Sequence, residues 1–121
     1  MGYPYKPAAG NVFMTVGMTD VGTADSRWVV PGFNGRIKRF SSAINGTLTT
    51  ANSTASLAIG GVAVTGSTLT IPFTGSAAGN TAVATPSGNN TFGSTDAINI
   101  INNGESTGPQ PVTFTLELEP N

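Results

Sequence analysis

The sequence predicts an all-β fold: a two-sheet antiparallel β-sandwich, jelly-roll or Greek-key like, with an extended N-terminal arm. Three observations predict it. Apolar residues alternate with Thr, Ser and Asn along several short stretches, the period of a strand with one buried face. Gly, Pro and Asn turn signals punctuate the chain at roughly 8–12 residue intervals, the spacing of sandwich strands. No helical period is sustained anywhere, and no solenoid repeat is evident.

Residues 1–10 (MGYPYKPAAG) carry Pro4 and Pro7 between Tyr3, Tyr5 and Lys6 and form no regular element. They read equally as a loose chain terminus or as an arm on a neighbour, with the tyrosines as amphipathic anchors and the prolines lowering the entropy cost of docking. Residues 11–121 make one sandwich domain. Its first strand is residues 11–18, with Val12, Met14 and Val16 on one face and Phe13 and Thr15 on the other. Residues 26–30 (SRWVV) form a second strand, stopped by Pro31-Gly32. Residues 36–45 space Ile37, Phe40 and Ile44 three and four apart, as a helix would. The flanking glycines and β-rich surroundings favour a long strand with a bulge that shifts the inward phase midway.

Residues 54–73 are the framework. Ala55, Leu57 and Ile59 alternate, Gly60-Gly61 supplies a tight turn, and Val62 and Val64 begin a return strand. Thr65-Gly66-Ser67 breaks it, and Leu69, Ile71 and Phe73 alternate again, so a three-strand meander is expected. Residues 80–85, with Val83 as the main apolar side chain, residues 97–102 (AINIIN) and residues 112–119 (VTFTLELE) complete the strands. The expected core is Ile37, Leu57, Ile59, Leu69, Ile71, Phe73, Ile98, Ile100, Phe114, Leu116 and Leu118.

Composition restricts function. Charged residues are 9% of 121, where about 25% is ordinary, so the exterior is hydroxyl-rich and suits packing against neighbours. A net charge of −1 gives no field to draw in nucleic acid or an anionic membrane. No apolar run approaches the roughly 20 residues of a membrane span, and residues 1–10 lack the apolar stretch of a secretory signal, so a soluble chain is expected. With neither His nor Cys, catalytic triads and ordinary zinc sites are unavailable. The six acids are Asp20, Asp25, Asp96, Glu105, Glu117 and Glu119. Glu117 and Glu119 share a strand face opposite the leucines and read as a solvated stripe. Asp20 and Asp25 read as turn residues ahead of a calcium clamp. Neither an enzyme, a cofactor nor a metal is expected.

Four of the five basic residues, Arg27, Arg36, Lys38 and Arg39, fall close together in sequence. They read first as a solvated strand face, then as a small basic patch for an acidic protein surface, and last as a nucleic-acid contact. Trp28 reads as a core or interface plug.

From Gly35 onward the chain is GRIKRFSSAING, a strand ending in Gly60-Gly61, VTGSTLTI, GSAAG, an ATP turn, DAINIINNG and a final PVTFTLEL. In this layout it resembles the decoration (cement) proteins of tailed-bacteriophage capsids. The resemblance implies a β-sandwich on the outer capsid surface of the virion, made in the host cytoplasm. It also implies a homotrimer that bridges major capsid protein subunits. The expected capsid contacts are Tyr3, Pro4, Tyr5 and Lys6 of the arm with Arg36, Lys38 and Arg39, while the sandwich projects outward. The rival from another class is a carbohydrate- or receptor-binding module of a phage tail or adhesin, with Tyr3, Tyr5, Trp28, Phe33 and Phe92 as the eligible aromatics.

Overall fold

The computed structural model describes residues 10–104, 106 and 110–121, all strand, turn and loop. The strands are β1 (Val12–Met18), β2 (Asp25–Val29), β3 (Gly35–Ile44), β4 (Ser53–Ile59), β5 (Val62–Ala63), β6 (Leu69–Ile71), β7 (Thr81–Ala84), β8 (Thr91–Phe92), β9 (Ile98–Asn102) and β10 (Val112–Pro120). They build two antiparallel five-stranded sheets. One runs β1-β10-β3-β7, with β8 also on β3; the other runs β2-β9-β4-β5, with β6 also on β4.

The pairing is nested. β1 pairs with β10, β2 with β9, β3 with β7 and β8, and β4 with β5 and β6, successive nested pairs falling in alternate sheets. That is the jelly-roll order, with two of its arms each split into two short strands. The sheets close over one core in which Ile37, Phe40, Ile98, Ile100, Phe114, Leu116 and Leu118 are wholly buried. At its centre the rings of Phe40 and Phe114 stack at 5.4 Å and 27°. Each fully buried large apolar side chain contributes about 1.5–3 kcal/mol of transfer energy.

The bulge expected in residues 36–45 is present and has a definite place. Leu118 pairs with Ile37 and Glu117 with Arg39, so Lys38 faces no partner on β10. Ile37 and Phe40 can therefore both point into the core although three positions separate them. A regular strand would have turned one of them out.

The framework segment differs from the expected meander. β5 and β6 do not pair with each other; both lie along the same edge of β4, at Ala58–Ile59 and Ser53–Ala55 respectively. It is one hairpin with an interrupted return arm. Gly60 and Gly61 both have positive φ (58° and 83°), as a two-residue hairpin turn of the favoured twist requires. At the interruption the Leu57 N–H donates to Ser67 Oγ at 3.0 Å, so a hydroxyl replaces the missing rung. The excised Thr65 pairs instead with Gly88, through Thr65 N–H to the Gly88 carbonyl at 2.9 Å.

Two large apolar side chains, Phe73 and Val83, are exposed, the first of them a member of the expected core. Phe73 is 40% exposed, because β6 ends at Ile71 and Pro72 carries the chain off the sheet. Val83 is 47% exposed, because Ala84 pairs with the inward Phe40 and Ala82 with the inward Ser42. The loop after β1 hangs on a residue outside the expected core: Val21 is wholly buried, and its carbonyl accepts from Ser53 Oγ and Asn102 Nδ2.

Candidate functional site

The outer face of the β1-β10-β3-β7 sheet carries two adjoining hollows. The first, about 440 Å³, lies over the strand centres and is lined by Phe13, Arg39, Ser41, Ala43, Thr81, Val83, Thr113, Thr115 and Glu117, with Ser42. The second, about 430 Å³, lies among Arg36, Lys38, Arg39, Val83, Pro86 and the polar side chains of Thr85, Ser87 and Asn90. Arg39 and Val83 border both, so the two form one trough.

The bulge makes this site. In an unbroken strand Arg36 and Lys38 would face outward and Arg39 inward; the extra residue turns Arg39 outward as well, a known use of bulges. Three cations thus meet at one end of the trough. The wall opposite them is pinned at the same point. Ile37 N–H donates to the Asn90 carbonyl at 2.8 Å, and Asn90 Nδ2 donates back to the Ile37 carbonyl at 2.8 Å. Arg36 Nε donates to Glu119 Oε1 at 2.6 Å, a part-exposed pair of small energetic weight that fixes the guanidinium.

Of the expected contacts, Arg36, Lys38 and Arg39 are brought together. Tyr3, Pro4, Tyr5 and Lys6 lie outside the described residues. Arg27 is separate from the cluster: it stands on β2 in the other sheet, where its guanidinium bonds Asp25 Oδ1 at 2.6 Å. Trp28, on the same strand, is 62% exposed and no part of the core. Phe92, one of the aromatics eligible for a sugar platform, is buried and meets Phe33 edge-on at 5.5 Å.

Glu117 departs most from expectation. Alternation does place it on the outer face, yet it is only 2% exposed and not part of a solvated stripe. Its register neighbours are Phe13 on β1 and Arg39 on β3, whose side chains flank it. Asn11 Nδ2 donates to Oε2 at 2.7 Å, while Oε1 is buried without a hydrogen-bond partner. The sequence signal for this was the bulky Phe13, directly opposite in the first strand.

The remaining described acids serve local structure. Asp20 closes a turn, accepting from Gly22 N–H at 2.8 Å and the Thr23 hydroxyl at 2.6 Å. The Thr23 hydroxyl above all, with the Gly22 and Gln110 N–H groups, holds the Asp20 carboxyl below its ordinary value against the opposing effect of partial burial. Asp96 accepts from Gly93 N–H at 2.7 Å. Among the described residues no three acids gather into a metal-sized cluster.

No protein-family model matches the chain, and no curated protein matches it. What the site can do follows from its own chemistry. Cations, hydroxyls, an amide and two exposed apolar side chains line a shallow trough, a composition suited to holding a surface or an extended segment.

Proposed function

We propose that the chain is a structural virion protein that decorates the outer capsid and stabilises it by bridging major capsid protein subunits. The observation that carries the reading is the trough: a floor mostly of Thr, Ser, Ala and Val, bordered by Phe13 and the buried Glu117, with three bulge-gathered cations at one end. Such a patch has the depleted central charge and charged rim of a contact surface, where rim charges set register and on-rate. The low overall charge and the resemblance of residues 35–119 to capsid decoration proteins support the same reading. The arm, with Tyr3, Pro4, Tyr5 and Lys6, adds a second point of attachment. Several weak attachments on one shell reinforce one another through effective concentration.

The test is cosedimentation with capsid shells lacking the chain. Wild-type protein pellets with the shells. Removal of residues 2–10, or the triple change Arg36→Glu, Lys38→Glu and Arg39→Glu, abolishes pelleting while the far-ultraviolet spectrum stays that of a β protein. Undiminished pelleting of both variants rejects the reading.

One observation favours a second reading, a carbohydrate- or receptor-binding module: the exposed indole of Trp28 is available for stacking. Glycan-array binding lost on Trp28→Ala would support it, and a blank array would remove it.

A further inference from the structure

We infer that the open edge of β1 is a self-recognition surface, on which a second copy of this chain adds its own β1 antiparallel about a twofold axis through Thr15. Among the described strands β1 and β2 each end a sheet with one neighbour only. The opposite sheet edges are already broken into short pieces, β5 with β6 and β7 with β8, which is how proteins blunt an edge. β1 is not blunted. It is seven residues long, VFMTVGM, with no charge, no proline and an unshifted register against β10.

The two open edges differ in what they present to their own copy. An antiparallel self-pairing of β2 about its central residue sets Arg27 against Arg27, and like charges directly opposite destabilise a ladder. The same operation on β1 sets Thr15 against Thr15, a favourable cross-strand pair. It also sets Val12 against Met18 and Met14 against Val16, so the core-side row meets only apolar partners. On the outer side Phe13 falls opposite Gly17. This matching suits three features of the β1 edge. Val12 is 37% and Phe13 53% exposed along this edge. Met14 and Val16 are only partly buried against the core. Gly17 lacks a side chain although its own fold has room for one: an added Cβ would meet nothing nearer than the Val112 carbonyl at 4.0 Å, and the backbone there is not left-handed. An aromatic ring laid over a bare glycine is a recognised way of covering such a position.

The partner is therefore a second copy, and its docking continues the β1-β10-β3-β7 sheet across the seam. This inference does not depend on capsid attachment, because it is read from mass in solution. Sedimentation equilibrium of the full chain over a range of concentrations gives a species of about twice the 12.2 kDa chain mass that dissociates on dilution. Thr15 is exposed, so Thr15→Lys and Thr15→Glu leave the fold intact. Each alone places like charges on the axis and gives the monomer mass; the two mixed in equal amounts restore the doubled mass. A monomer at every concentration overturns the inference. So does a threefold mass, which would favour the trimer that the resemblance implies, and so does a doubled mass that Thr15→Lys leaves unchanged. A mixture of the two variants that stays monomeric also overturns it.

Discussion

Ser67 closes a gap in the backbone of the second sheet, and removing its hydroxyl tests the reading of the interrupted hairpin. The side chain is buried, at 1% exposure, and Leu57 N–H has Ser67 Oγ as its partner at 3.0 Å. The Leu57 carbonyl accepts from Val64 N–H at 2.9 Å and from the Ser67 hydroxyl at a longer 3.4 Å, so it keeps a partner when that hydroxyl is removed. Ser67→Ala therefore orphans one buried donor next to a core leucine. Leaving such a group unsatisfied costs about 1–3 kcal/mol. For a domain of this size that lowers the melting temperature by about 4 °C per kcal/mol, hence by roughly 4–12 °C. Urea unfolding followed by far-ultraviolet circular dichroism should show a lower midpoint with unchanged slope. Thr68→Ala, at the exposed neighbouring position, should stay within about 0.5 kcal/mol of wild type. If the two variants unfold alike, the hydroxyl is not a rung of the ladder and the argument fails.

Deleting Lys38 should be tolerated better than a deletion elsewhere in β3, because Ile37 and Phe40 then sit two apart and both keep the inward phase of a regular strand. The loss should be smaller than the about 2–5 kcal/mol of an emptied core position, and a thermal melt without cooperative unfolding would refute the bulge assignment. Asp20 has its folded pKa below the ordinary 3.8, so the stability it adds is fully present above that value and drains away as pH falls through the folded pKa. The stability difference between wild type and Thr23→Val should accordingly be constant from pH 7 to about pH 5 and shrink in stronger acid. A difference that widens on acidification would reverse the sign and defeat the assignment.

Much of the architecture was legible because alternation is a direct image of the pleat. The clean run Val112, Phe114, Leu116, Leu118 gave β10 its face, and the odd spacing of Ile37 and Phe40 gave the bulge. Where a strand offers little contrast, the image blurs. In residues 80–85 the one large apolar side chain, Val83, turns outward, because the register with Phe40 and Ser42 sets Ala84 and Ala82 on the inner face. Phe73 continued the pattern of Leu69 and Ile71 one step beyond the strand itself. The trough needed information that no single stretch contains. That Arg36, Lys38 and Arg39 share a side follows from the bulge, but the wall they face comes from residues 85–90, brought there by Asn90 bonding Ile37. Arg27, near them in sequence, went to the other sheet. The burial of Glu117 likewise depends on Phe13, its partner across the ladder, and on Asn11, whose amide bonds it from 106 positions away.

That long-range ladder governs how the molecule is made. β1 precedes every other described strand, yet its mate β10 follows them all, and the same nesting holds one layer in for β2 and β9. The β1-β10-β3 ladder closes only once β10 is made, although β3 can pair with β7 and β8 before that, and contacts so distant in sequence form comparatively slowly. Until β10 arrives, VFMTVGM is an uncharged, pairing-ready ribbon, the kind of exposed strand through which incomplete chains associate.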